Sequence, residues 1–142
     1  MKKVLLLLLF FGTIQSQTVN LDCSCILKDK ITFDLTSDKQ IGDEVFFQFD
    51  IDLDNKTAKV PNWTDEIFVV NAYDKANNLS ISDTQIVLGQ KPPTGDYAFI
   101  ISREDLSIST IMNLKFEGYR GTIEFFEGTC DIVKRKKVET LF

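Results

Sequence analysis

Alternation of apolar and polar positions with period two dominates the chain. In "VFFQFDIDL", Val45, Phe47, Phe49, Ile51 and Leu53 share one face, and Phe46, Gln48, Asp50 and Asp52 share the other. Successive side chains of a strand point to opposite faces, so this pattern predicts a strand with one face buried. "LSISTIMNLKFE" repeats it: Leu106, Ile108, Met112, Leu114 and Phe116 oppose Ser107, Ser109, Asn113 and Lys115. Shorter strands are predicted over residues 31–36, 57–60, 67–73, 79–82, 84–89, 97–102, 122–127 and 129–134. Between them lie runs rich in Gly, Pro, Asn and Asp, such as "LDNKT", "QKPPTGD" and "SREDL". These residues favour turns through their backbone freedom or local hydrogen bonding. No stretch beyond the first 16 residues sustains a helical period. The expected fold is all-β: about 8–10 antiparallel strands in a meander, closed as a small barrel or folded as a two-sheet sandwich.

The N-terminus breaks the pattern. Lys2 and Lys3 precede an unbroken apolar run from Val4 to Phe11, followed by a short polar segment ending in Ser16. That order predicts a signal peptide over residues 1–16. The apolar run is about half of the roughly 20 residues that a spanning helix needs. Asp22 before Cys23 is the wrong neighbour for a lipid-modified cysteine. The expected product is a single domain over residues 17–142, extracytoplasmic, secreted or periplasmic, with no stable membrane insertion.

Charge changes the picture of partners. The chain carries 16 basic and 21 acidic side chains, a net charge of −5. Loss of Lys2 and Lys3 leaves 14 against 21, or −7. Such a surface repels nucleic acid and anionic lipid and steers basic proteins inward. The basic run "KRKK" at 134–137 reads as a solvated end. The chain has no histidine. Histidine-based nucleophile systems and histidine-ligated metals are therefore excluded within this chain. No cofactor is expected.

Among candidate sites, Asp50, Asp52 and Asp54 in "DIDLDN" resemble the start of a calcium loop. Asn55 stands where the turn glycine belongs and Pro61 where the bidentate Glu belongs. These carboxylates are also the first residues to test for a carboxylate-dependent hydrolase. The 12 Phe, three Tyr and one Trp suit a filled core or an apolar pocket. Phe33, Phe47, Phe49, Tyr97, Phe99, Phe116 and Phe125 are assigned inward. Phe46 and Phe126 are assigned outward, as a patch for a partner. Trp63 is assigned either to a barrel-end lid or to a contact surface. Asn55, Asn62 and Asn78 head glycosylation sequons, which matter only in a eukaryotic secretory pathway.

Two of the three cysteines stand in "LDCSC" and the third in "EGTCDI". In an oxidising compartment they predict a bridge from Cys23 or Cys25 to Cys130. Closing a loop of about 105 residues is worth roughly 4 to 5 kcal/mol in the chain-entropy model. Export, a rigid strand scaffold and no catalytic set predict a protein-binding, inhibitor-like or accessory module. The alternatives are a carrier barrel for a small apolar ligand and the carboxylate-dependent hydrolase.

Overall fold

A computed structural model describes residues 17–33, 37–70, 77–90, 95–116 and 119–134. Residues 1–16, expected as a signal peptide, and residues 135–137 of the basic run lie outside them. Nine strands follow in order: β1 (Thr18–Thr32), β2 (Glu44–Asp52), β3 (Thr57–Val60), β4 (Thr64–Val70), β5 (Asn77–Ile81), β6 (Gln85–Gln90), β7 (Gly95–Ser102), β8 (Ser107–Phe116) and β9 (Tyr119–Val133). Each pairs with the next, and β9 returns to β1, so the sheet closes as a barrel and not a sandwich. Eight seams are antiparallel; β4 and β5 run parallel through Val69–Asn78 and Val70–Leu79. The expectation of a wholly antiparallel meander fails at this seam for a topological reason. Strand direction can alternate all the way around a ring only when the strand count is even. Nine strands in chain order force one parallel pair.

The alternation of the sequence becomes the inside of this barrel. Leu21, Cys23, Cys25 and Leu27 of β1 are buried, as are Phe47, Phe49 and Ile51 of β2. Opposite them lie Leu88, Phe99, Ile101, Ile108 and Met112. Full burial of such a side chain stabilises the fold by roughly 1.5–3 kcal/mol before conformational entropy is subtracted. The rings interlock: Phe99 meets Phe47 edge-on at 5.0 Å and Phe49 at 5.3 Å between centroids. Tilted and edge-to-face contacts add to the area term because ring edges are positive and faces negative.

The two ends of the chain form the longest strands, and here the strand boundaries differ from expectation. β1 runs through "LDCSC", while of the expected strand 31–36 only Ile31 and Thr32 belong to it; residues 34–36 lie outside the described residues. The expected strands 122–127 and 129–134 are one strand, β9. Gly128 between them is no turn. A Cβ there would overlap the Ser24 carbonyl and crowd Cys25 Cα, so glycine permits the close approach of β9 to β1.

The phase of β9 also differs. Phe126 is buried with Glu124 and Thr122, while Phe125 is half-buried on the outer face. Phe126 is therefore not part of an outward patch with Phe46, and Phe125 does not point inward. Phe33 lies past the end of β1 and is exposed; its N–H donates to Gly121 O at 3.2 Å. The Phe116 side chain lies outside the described residues.

Candidate functional site

The barrel has two unlike ends. At one end the chain between β1 and β2 folds back as a strap over residues 37–43. Gly42 N–H donates to Leu27 O and Leu27 N–H to Asp43 O, both at 2.9 Å. Lys30 Nζ donates to Ser37 O at 2.9 Å and Lys39 O at 2.6 Å, gathering the strap around one ammonium. Ser37 reaches inward: its N–H donates to Thr122 Oγ1 at 3.1 Å and its hydroxyl to Glu124 Oε2 at 2.9 Å. Glu124 is fully buried, and Lys39 Nζ stands 3.8 Å from its other oxygen, Oε1. Burial of a carboxylate is tolerated only with such partners. Trp63, in the β3–β4 turn, closes the same end. It packs edge-on against Tyr97 at 5.4 Å and Phe47 at 5.6 Å. This packing is that of a lid on the barrel end.

At the opposite end no strap is formed by the described residues. Leu21, Leu53, Ile86, Ile101 and Ile132, together with Arg103 and Leu106 of the β7–β8 turn, line a mainly apolar hollow of about 150 Å³. Ile132 is 66% exposed although it sits two residues beyond Cys130 in the inward phase. The backbone is bent to place one lining residue: Leu106 has φ 59°, a left-handed conformation that costs a branched side chain about 1–2 kcal/mol. Its carbonyl accepts the Cys130 N–H at 2.8 Å, which offsets part of that cost and ties the hollow to the cysteine pair.

Three turns surround this mouth. The β2–β3 turn brings Asp52 and Asp54, the β5–β6 turn Asp83, and the β7–β8 turn Glu104 and Asp105. Lys56 and Arg103 are the only bases in these turns, so five carboxylates face two cations. Arg103 Nη1 is partly committed, donating to Ser82 O at 2.7 Å. Asp52 accepts from the Asn55 N–H and side-chain amide, and from the Asp54 N–H; these bonds, the Asn55 ones foremost, hold its carboxyl below the usual range. The Ser107 N–H and hydroxyl, with Ser102, do the same for Asp105. Two of the rim carboxylates, Asp52 and Asp105, are thus turn-forming acceptors held in the ionised form.

The aspartates singled out from sequence are dispersed in role. Asp50 lies opposite Lys59 in the β2–β3 register, Asp52 caps its own turn, and Asp54 Oδ2 accepts the Gln17 N–H at 2.8 Å. Among the described residues no group of three or more Cys, Asp or Glu is arranged to hold a metal ion. Phe46 is 63% exposed on the outer face of β2, as expected. Asn62 spends its side chain on the backbone: Oδ1 accepts Gln48 N–H and Nδ2 donates to Phe46 O, both at 2.8 Å. A glycan on that nitrogen would leave it a single N–H for the second bond.

Of the two cysteines in "LDCSC", Cys23 is the one brought to Cys130. They face each other in register across the β1–β9 seam, with the sulfurs at bonding distance and Cα atoms 4.0 Å apart. Cys25 is a buried free thiol, and burial pushes it up to about 11.

The mouth and Glu124 were not legible as sites in the alternation alone. A signal did exist. Cys130 must face Cys23 for the pair to form, and counting back by two from Cys130 places Phe126, Glu124 and Thr122 inside. Counting forward by two places Ile132 at the mouth. No protein-family model, no curated protein and no solved structure matches the chain.

Proposed function

We propose that the chain is an exported protein-binding module that engages its partner at the open mouth. One observation carries the reading: the barrel is filled by its own rings along its length, yet at one end it leaves an apolar hollow within an acidic rim. Ligand sites favour barrel mouths, but small-molecule pockets usually measure about 300–1,000 Å³. A hollow of about 150 Å³ suits one apolar side chain, not a whole lipid or pigment. This supports a protein partner over the carrier reading. The partner's chemistry follows from the rim: a basic segment that presents an aliphatic or aromatic anchor, steered by the carboxylates and held by the apolar contact. The hydrolase reading loses support because Asp52 and Asp54 are engaged in holding the chain, and the buried carboxyl among the described residues, Glu124, belongs to the strapped end and not to their row. A cysteine pair at bonding distance accords with an oxidising compartment.

The test is capture from the extracytoplasmic fraction of the source cells. A single partner should be retained at low salt, released at high salt, and lost with Ile132→Asp. It should survive Phe46→Ser, which alters an exposed apolar residue away from the mouth. A partner indifferent to Ile132→Asp refutes the mouth as the interface.

A further inference from the structure

We infer that removal of the leader after Ser16 leaves the Gln17 α-ammonium seated on the Asp54 carboxylate, and that this seat protects Gln17 from cyclising to pyroglutamate. The inference rests on the export reading and is independent of the partner.

Two lines meet at one residue. The sequence places the cut between Ser16 and Gln17. The structure holds Gln17 by both backbone groups: its N–H donates to Asp54 Oδ2 at 2.8 Å, and its carbonyl accepts the Leu53 N–H at 3.0 Å. The acceptor is itself fixed. Asp52 Oδ1 accepts the Asp54 N–H at 3.1 Å and the Asn55 N–H at 3.0 Å, so the turn that carries Asp54 is preformed. Cleavage would turn the bound amide N–H into an ammonium at the same atom. The hydrogen bond then becomes charge-assisted, which is the stronger kind.

This position has a chemical consequence because the residue is glutamine. A free N-terminal amine can attack its own side-chain carboxamide. The N–Cδ bond forms, the Cδ–Nε2 bond breaks, and the amide nitrogen leaves as ammonia with a proton from the amine. The step needs the neutral amine. A free α-amino group titrates near 7.7–8.0, so an unheld terminus is substantially neutral just above pH 7. An ammonium resting on a carboxylate keeps its proton and has no lone pair to offer.

The experiment uses the exported mature protein and its Asp54→Asn variant, incubated at mildly alkaline pH. The N-terminal peptide is followed by mass for loss of one ammonia. The amide retains a hydrogen-bond acceptor, so the turn persists while the charge is lost. Wild type should begin at intact Gln17, and the variant should cyclise about two- to fivefold faster, the range expected of an exposed ion pair. Asp105→Asn, which alters the other stabilised turn, should match wild type. A mature chain beginning at another residue overturns the cut and with it the inference. Equal rates in wild type and Asp54→Asn overturn the seat and leave the export reading standing.

Discussion

The strapped end and the open mouth are built from the same strands and solve the same problem in opposite ways. A barrel of nine strands has apolar side chains at both rims, and each rim must meet water. At the strapped end residues 37–43 and Trp63 cover the rings, and the cover is fastened to a charge inside the barrel through Ser37 and Lys39. At the mouth nothing among the described residues folds over Ile132, and the turns are held by their own aspartates instead. The closed end spends polar groups on internal fastening. The open end spends them on a charged rim and leaves apolar surface uncovered. Uncovered apolar surface beside a preformed rim is what a partner can use, and for that reason the proposed interface is the mouth.

The comparison can be broken by mutation, and the closed half should show the largest losses. Phe99→Ala removes the ring on which Phe47, Phe49 and Trp63 converge. It should cost about 3–5 kcal/mol in denaturant unfolding. Ser37→Ala should cost less, about 1–3 kcal/mol, since it leaves Glu124 with the more distant Lys39 and no hydroxyl. It should also free the strap, read as faster amide exchange at Gly42.

Acid should act on the mouth. The carboxyls of Asp52 and Asp105 lie below their ordinary range in the folded chain. Between the folded and unfolded values the unfolded chain binds more protons, so stability rises with pH. Their contribution is complete above the unfolded value, about 3.9, and fades as pH falls through the lowered folded values. Asp105→Asn should flatten that part of the stability curve. The smallest effect on stability belongs to Ile132→Ser, within about 0.5 kcal/mol as for other exposed positions. Its loss should appear in partner capture alone. A large drop in stability would show Ile132 to be core and erase the contrast between the ends.

Much of the barrel was written in the alternation. β2 and β8 follow their sequence pattern, since Phe47, Phe49 and Ile51, and Ile108 and Met112, are buried as the period requires. The phase of β9 was not, because "IEFFEG" offers adjacent phenylalanines and a glutamate. Hydrophobicity alone turns Glu124 outward. The strap reverses that choice by supplying Ser37 and Lys39 from a loop some 85 residues away. Period counting also fails across the register shifts at Leu27/Asp29 and Asn113/Lys115. The mouth was illegible for a different reason. Its residues come from four strands and two turns, and their convergence depends on closure of the sheet. The parallel seam is likewise a property of the strand count and leaves no mark in any one segment.

The buried thiol of Cys25 bears on how the chain keeps its covalent form. Three cysteines can pair in three ways, and in an extended chain Cys23 and Cys25 have nearly equal claims on Cys130. Folding separates them. Burial raises Cys25 from 9.0 to about 11, which reduces its thiolate about a hundredfold at neutral pH, a factor of ten per unit. The thiolate is the species that attacks a disulfide. The native fold therefore selects one isomer by register and then silences the group best placed to scramble it, so the choice made during folding becomes hard to undo.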